Sequence, residues 1–452
     1  MKFLTETTSS GCEQPIATDR INYRRLIRGV AGTAGVRLAG LALAFVMNLV
    51  LARILGVREY GTLMYILAWV GVLSVVGMFG LDRLLVREVA NYNLQAAWGH
   101  LRGLLRWAYI RALLASLVVI AVTVFLFLYK LPHIDAPPAY LLPAASCLLL
   151  CTVMMRVSGS TLQGFHRVVG SQLAEILIQP GLCIVLIASF YLMRHSRLLA
   201  HQALMLNAIS AGSACVFVGW LLWRTLPPGM RSTPMQFASR RWMIGVLPLF
   251  LASILDILNN QISSLLLGTL SGTTALGMYS VAERGAQLVV FPLSAINLTL
   301  APTFANLYHA EDIGGLQRLV TKSARLILIS AAPIALALIL GGHWFLQLFG
   351  RGFTNGHTPL VILCIGQLMN AAMGSVGNLL IMTGHGREAA IGVGIGVGTN
   401  LLLSALFIPL WGASGAAVAT ASSLIVWNVL LALFVWKRLG IATTALGRIG
   451  NR

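Results

Sequence analysis

The chain is 452 residues long, 58% hydrophobic and only 10% charged, with a mean hydropathy of +0.83. Soluble domains carry roughly a quarter charged residues, so a soluble enzyme or binding module is excluded and a polytopic membrane protein is expected. The net charge of +19 would otherwise suggest nucleic acid, but the basic residues sit between long apolar runs and form no soluble domain of their own.

A helix crossing a bilayer needs about 20 mostly apolar residues. Twelve windows satisfy this, at 32–55, 61–80, 110–128, 140–159, 170–193, 204–223, 246–270, 276–302, 327–349, 360–382, 389–410 and 413–436. The polar start of the chain lacks the apolar core of a signal peptide, and residues 9–18 are expected to be disordered. After span 2, residues 82–111 carry Val86, Val89, Leu94, Leu101, Leu104 and Leu105 at helical spacing beside Arg87, Arg102 and Arg106. This pattern predicts one amphipathic helix lying at the membrane interface, and residues 306–325 after span 8 predict the same. Between spans 6 and 7 lies a proline-rich polar linker containing Pro227, Pro228 and Pro234.

The expected fold is therefore all-α, with about twelve transmembrane helices in two six-helix bundles around a central cavity. The divisions are a cytoplasmic tail at 1–29, bundles at 30–224 and 242–438, a linker at 225–241 and a tail at 439–452. Two such halves follow the plan of an alternating-access carrier.

Charge position gives the orientation, because Lys and Arg concentrate in short cytoplasmic loops. With a cytoplasmic amino terminus, 24 of the 32 basic residues fall inside, 6 outside and 2 within spans. Both termini are expected in the cytoplasm. Outward segments stay within about fifteen residues, short for loops with a fold of their own, so no outer catalytic domain is expected.

Recognisable reaction chemistry is absent from the pattern. Six scattered cysteines show no zinc-ligand spacing, and nothing resembles a nucleophile elbow, an ATP-binding loop or a hydrolase triad. The glycines at 392, 394, 396 and 398 superficially suggest a phosphate loop, but they lie inside span 11, where close helix contact is the simpler purpose. No metal and no cofactor are predicted.

The informative residues are the ionisable groups within spans, which are costly in hydrocarbon and usually face a cavity or a partner. They are Arg37 in span 1, Glu175 in span 5, Asp256 in span 7, and Glu283 with Arg284 in span 8. Successive helical residues point 100° apart, so Glu283 and Arg284 are not expected to share a direction, and Arg284 is the candidate for the cavity, with Arg37 opposite. The competing expectation is a structural lock in which Arg37 pairs with Asp256 or Glu283. Thirteen amide residues also lie at membrane depth, among them Asn48, Asn259, Asn260, Gln287 and Asn370; they predict a wet interior able to bond a hydroxyl-rich cargo, or else bonds between neighbouring helices. Pro180, Pro248 and Pro292 should kink spans 5, 7 and 8.

Several stretches resemble a known family. "LARILGVREYGTLMY" (51–65), "GLDRLLVREVA" (80–90), "LQGFHRVVGSQLAEILIQP" (162–180), "LQLFGRGF" (346–353) and "GQLMNAAMGSVGNLLIMTGH" (366–385) are similar, in order and at matching span positions, to polysaccharide and O-antigen repeat-unit exporters. These are the lipid-linked oligosaccharide flippases of the multidrug/oligosaccharidyl-lipid/polysaccharide exporter superfamily. The resemblance implies two six-helix bundles in a V in the bacterial inner (cytoplasmic) membrane. It also implies movement of undecaprenyl-pyrophosphate-linked sugar units to the outer leaflet for O-antigen, capsule or exopolysaccharide. On this sequence the pyrophosphate would fall to Arg37 and Arg284, the sugars to the amides, and coupling to H+ or Na+ to Glu175, Asp256 or Glu283. Many relatives carry an aspartate where this chain has Ser263; Asp256 lies seven residues, about two turns, earlier. Implied partners are the lipid-linked oligosaccharide, membrane lipids, and a polysaccharide polymerase with its chain-length regulator. The rival readings are a multidrug cation antiporter, which needs an acidic cavity, and a polymerase, which needs a large outer loop.

Overall fold

The computed structural model describes residues 23–128, 139–194, 198–230 and 233–445, with the side chains of 23–34, 36–38, 127, 128, 139, 194, 228 and 298 left aside. The stretch at 9–18 and the basic residues Lys130, Arg197, Arg231, Arg448 and Arg452 lie outside these residues. The principal elements are α1 (Tyr23–Met78), α2 (Leu81–Leu94), α3 (Trp98–Leu128), α4 (Leu142–Gly164), α5 (Val168–Leu173), a π-helical turn (Ala174–Ile178), α6 (Gln179–Arg194) and α7 (Ala200–Thr225). There follow α8 (Ser239–Leu270), α9 (Gly272–His309), α10 (Ile313–Phe349), α11 (His357–Met373), α12 (Val376–Met382) and α13 (Gly386–Leu439).

The 56 residues of α1, drawn straight at 1.5 Å each, would reach about 84 Å against a hydrocarbon thickness of about 30 Å. The element cannot be one span. Its backbone leaves the helical region at Gly56 (φ 76°, ψ 174°), a conformation that glycine adopts without a side-chain clash. The Tyr60 hydroxyl donates to Asn48 Oδ1 at 2.9 Å, although a straight helix would hold those residues about 18 Å apart. α1 is therefore a helical hairpin. α13 folds back in the same way at Gly412 (φ 55°, ψ −126°), so that Gly392 and Gly396 lie against Leu431 and Trp427. Among the described residues, with two spans each from α1 and α13, and with the bent α9 and the α11–α12 pair counted once each, the helices long and apolar enough to cross a membrane give twelve passes.

Broken helices mark the remaining departures from regularity. The π turn at Ala174–Ile178 ends two residues before Pro180, whose missing N–H removes one rung of the ladder; the Gln179 N–H reaches back to Ala174 O. The α11–α12 pair turns at Gly374 (φ 73°). The interface helix expected over 82–111 is instead two elements: α2 ends, Ala96 takes a left-handed backbone (φ 50°), and α3 begins at Trp98. Leu84, Leu85 and Val89 bury one face of α2, while Leu101 and Leu104 bury the first turns of α3. The segment 306–325 divides likewise at Glu311 (φ 57°), with Asp312 capping α10 through Gly315 N–H at 2.7 Å.

These paired features expose an internal repeat. A Cβ built on Gly61 would sit 1.8 Å from the Thr273 carbonyl oxygen, and one on Gly277 would sit 2.3 Å from that of Val57. Residues 57 and 273, like 61 and 277, are 216 positions apart, so the contact is reciprocal, as in a two-fold interface. Ala96 and Glu311, at the starts of α3 and α10, stand 215 apart.

α1 joins the two sets of helices by packing against both α8 and α9. At the end rich in arginine, Phe79 stacks on Phe250 with centroids 4.6 Å apart. The linker is held there as well: Gln236 N–H donates to Gly99 O at 3.1 Å, and Arg102 donates to Thr233 O at 3.0 Å. The chain beyond α13 is tied down in turn, since Gln317 exchanges bonds with Ala442 N–H and C=O at 2.8 and 2.7 Å.

Candidate functional site

A fully buried tyrosine needs a partner for its hydroxyl. Tyr60, with none of its surface exposed, has several. It donates to Asn48 Oδ1, and both Arg284 and Glu283 act electrostatically on its oxygen. Asn48, 4% exposed, uses its amide nitrogen to close a bond to Ala44 O at 2.7 Å. The result is a polar cluster made by both arms of α1 and by α9, lying beneath the Gly61–Gly277 contact and at the junction of the two halves.

Arg284 is the half-buried cation of the cluster. One Nη donates to Gln287 Oε1 at 3.1 Å, one turn along α9. Its Nε is buried without a hydrogen-bond partner among the described residues, and such a donor retains its full desolvation cost until something binds it. Glu283 also influences Tyr279. The 100° between adjacent residues thus does not keep Glu283 and Arg284 apart, because both long side chains act on the same phenol.

A second polar chain runs from Tyr279 into the C-terminal helices. The Tyr279 hydroxyl lies 3.0 Å from Thr420 Oγ1, Thr420 lies 2.8 Å from Ser263, and Asn400 Oδ1 accepts from Ser263 at 3.0 Å and from Ser404 at 2.9 Å. Sequence reading passed over Tyr60, Tyr279 and Thr420, since tyrosine and threonine do not interrupt an apolar window. Their signal is position: Tyr60 directly precedes Gly61, and Tyr279 lies two residues after Gly277.

The other sequence-derived candidates scatter. Arg37 lies on α1, but its side chain is outside the described residues. Asp256 is engaged by Arg83 at 2.5 Å, a residue of the segment expected to form the interface helix over 82–111; the pair ties α2 to α8. Its position two turns before Ser263 therefore places it in a different set of contacts. Glu175 sits on the π turn, 3.5 Å from Arg156 of α4. Asn260 is exposed and donates to Asp256 O on its own helix at 2.7 Å, while Asn259 is half-buried beside it. Asn370 belongs to another network, donating to Gln367 at 3.2 Å and accepting from Asn428 at 3.0 Å. Of the proposed groups, the structure brings together Asn48, Glu283, Arg284 and Gln287.

Known proteins share this arrangement of helices. Residues 26–308 match the family described as "Polysaccharide biosynthesis protein", and residues 248–406 match the MatE family. A curated relative, the probable flippase AglR of Haloferax volcanii, is 28% identical over 173 residues, which is 37% of this chain and 36% of that protein; the match thus spans about a third of the relative. An inward-facing multidrug resistance MATE family transporter superposes with a TM-score of 0.64 at 17% identity, covering 90% of this chain and 98% of that one. For a transporter from Pyrococcus furiosus, described as having a binding pocket of reversed polarity, the values are 0.65, 14%, 91% and 96%. For the lipid II flippase MurJ in an inward closed conformation they are 0.64, 13%, 90% and 87%. At these identities the structures share a fold with this chain, while the first match takes in well over half its residues: the chain belongs to the polysaccharide biosynthesis protein family of the multidrug/oligosaccharidyl-lipid/polysaccharide exporter superfamily.

Proposed function

We propose that the protein is a flippase for lipid-linked oligosaccharides, moving a polyprenyl-pyrophosphate sugar unit across the membrane by alternating access. The observation that carries this reading is the Arg284 guanidinium at membrane depth, with a buried unpaired Nε, at the junction of the halves. Guanidinium donors match phosphate oxygens in a bidentate fork. The polyprenyl tail stays in lipid while the headgroup crosses between the halves, so sugar hydroxyls and phosphates avoid hydrocarbon. In this reading Asn48 and Gln287, which share the cluster with Arg284, contact the headgroup, and Arg37 of α1 is the second cation. No step of this cycle calls for covalent catalysis.

Coupling to a proton or sodium ion is assigned to Glu283, the carboxylate that shares Tyr60 with Arg284. Asp256 and Glu175 already have arginine partners. The same fact weighs against a multidrug cation antiporter, which needs a carboxylate free to bind a cationic drug: each of the three intramembrane acids here stands beside an arginine. We place the protein in a cytoplasmic membrane with both termini inside, following the basic residues.

Arg284→Ala removes charge-assisted hydrogen bonds worth about 1.5–3 kcal/mol, so export should fall about tenfold to a hundredfold. The test is surface polysaccharide in a strain lacking its own exporter, at matched protein amounts, with lipid-linked units accumulating in the cytoplasmic leaflet. Arg284→Lys should recover part of the loss. Full export by Arg284→Ala would reject the site.

A further inference from the structure

At the arginine-rich end, the two arms of α13 enclose a cleft of about 450 Å³ lined by Arg387, Glu388, Ile391, Phe434, Lys437 and Arg438. Its charges do not cancel. Arg438 pairs with Glu388 at 3.0 Å, leaving Arg387 and Lys437 as two positive charges in a lining that also includes the apolar floor residues Ile391 and Phe434. Ile391 is 45% exposed and Trp436, next to Lys437, is 60% exposed. In a membrane bundle, large apolar side chains exposed on the outer face meet lipid, and tryptophan settles at headgroup level. Both walls come from one folded helix, and none of the lining residues belongs to the Tyr60–Arg284 cluster at the junction of the halves.

From this juxtaposition we propose that the cleft is a binding site for an anionic phospholipid, whose phosphate is held by Arg387 and Lys437 while an acyl chain lies over Ile391 and Phe434. Basic pockets between transmembrane helices at the cytoplasmic face are suited to such headgroups. A free phosphate would satisfy the two cations but leave the apolar floor uncovered. The uncancelled charges of Arg387 and Lys437 disfavour a headgroup of net positive charge. The inference does not depend on which cargo the protein moves.

The test uses the full chain in phosphatidylcholine nanodiscs into which phosphatidylglycerol is titrated, read by thermal unfolding and by native mass spectrometry of retained lipid. Phosphatidylglycerol should raise the unfolding temperature and be retained at least tenfold over phosphatidylcholine; the double variant Arg387→Gln/Lys437→Gln should lose that preference while unfolding normally in phosphatidylcholine alone. If the double variant fails to fold, Lys437→Arg should keep the preference and Lys437→Gln should weaken it. Equal retention of the two lipids by the unaltered protein would overturn the proposal. So would the same thermal shift on adding inorganic phosphate to phosphatidylcholine nanodiscs, which would make the cleft a site for a free anion.

Discussion

Asp256 and Glu283 are both carboxylates inside membrane helices, yet their surroundings give them different work. The Asp256 side chain is 57% exposed and that of its partner Arg83 is 46% exposed; ion pairs of that exposure contribute about 0–1 kcal/mol. Asp256→Asn should therefore leave export within about twofold and barely change thermal stability, consistent with the small worth of such pairs. Glu283→Gln, which removes the charge beside Tyr60 and Arg284, should abolish ion-driven export while the protein remains folded. The check is export at matched protein amounts with and without an imposed ion gradient; the opposite pattern would move the coupling role to Asp256. At this scale the sequence exposes what is expensive: a charge in an apolar window is visible because hydrocarbon penalises it. Tyr60 is not visible in that way, since a phenol counts as apolar until its depth and its partners on two other helical segments are known.

The helices show a similar division between what pattern reveals and what packing decides. Four glycines alternate at 392, 394, 396 and 398, and close helix contact was the expected purpose. Two of them serve it: Gly392 and Gly396, one turn apart on one face, receive Leu431 and Trp427, while Gly394 and Gly398 have open space where a side chain would stand. The stretch 82–111 misleads because its apolar spacing stays in helical register through the turn at Ala96, a residue with no preference for a left-handed backbone. Gly61 has no such freedom. An alanine there places its methyl against the Thr273 carbonyl, part of the backbone rather than a movable side chain, and overpacking of this kind costs about 1–3 kcal/mol. Gly61→Ala should push the bend of α1 and the start of α9 apart. In a cysteine-free background, a cysteine replacing Val57 should then react faster with a membrane-impermeant maleimide; an unchanged rate would mean that the contact does not hold this end closed.

For the whole molecule, span number follows from the thickness of the bilayer, so length and hydropathy alone reveal the twelve passes. The two-fold relation of the halves is nearly invisible in the residues, since the matched positions carry different side chains, such as Val57 with Thr273 and Ala96 with Glu311, and share only backbone geometry. The junction is also uneven. One side, where α2 and the turn before it meet α8, is fastened by Phe79 on Phe250 and Arg83 on Asp256. The position related to Arg83 by the 216-residue shift is Thr299, and the one related to Asp256 is Gly40, which rests on Ile176. Neither residue carries a charge, so the Arg83–Asp256 pair has no counterpart at the positions related to it by the repeat.

Reconstitution tests the central claim most directly. The purified protein would be placed in liposomes carrying a labelled polyprenyl-pyrophosphate oligosaccharide in one leaflet, and the label reaching the opposite leaflet would be measured with an impermeant sugar-oxidising or sugar-binding reagent. The account predicts transfer that depends on the protein, is nearly lost in Arg284→Ala and survives in Asp256→Asn. Transfer no faster than in protein-free liposomes, together with uptake of a cationic dye driven by an ion gradient, would contradict it and identify a drug antiporter instead.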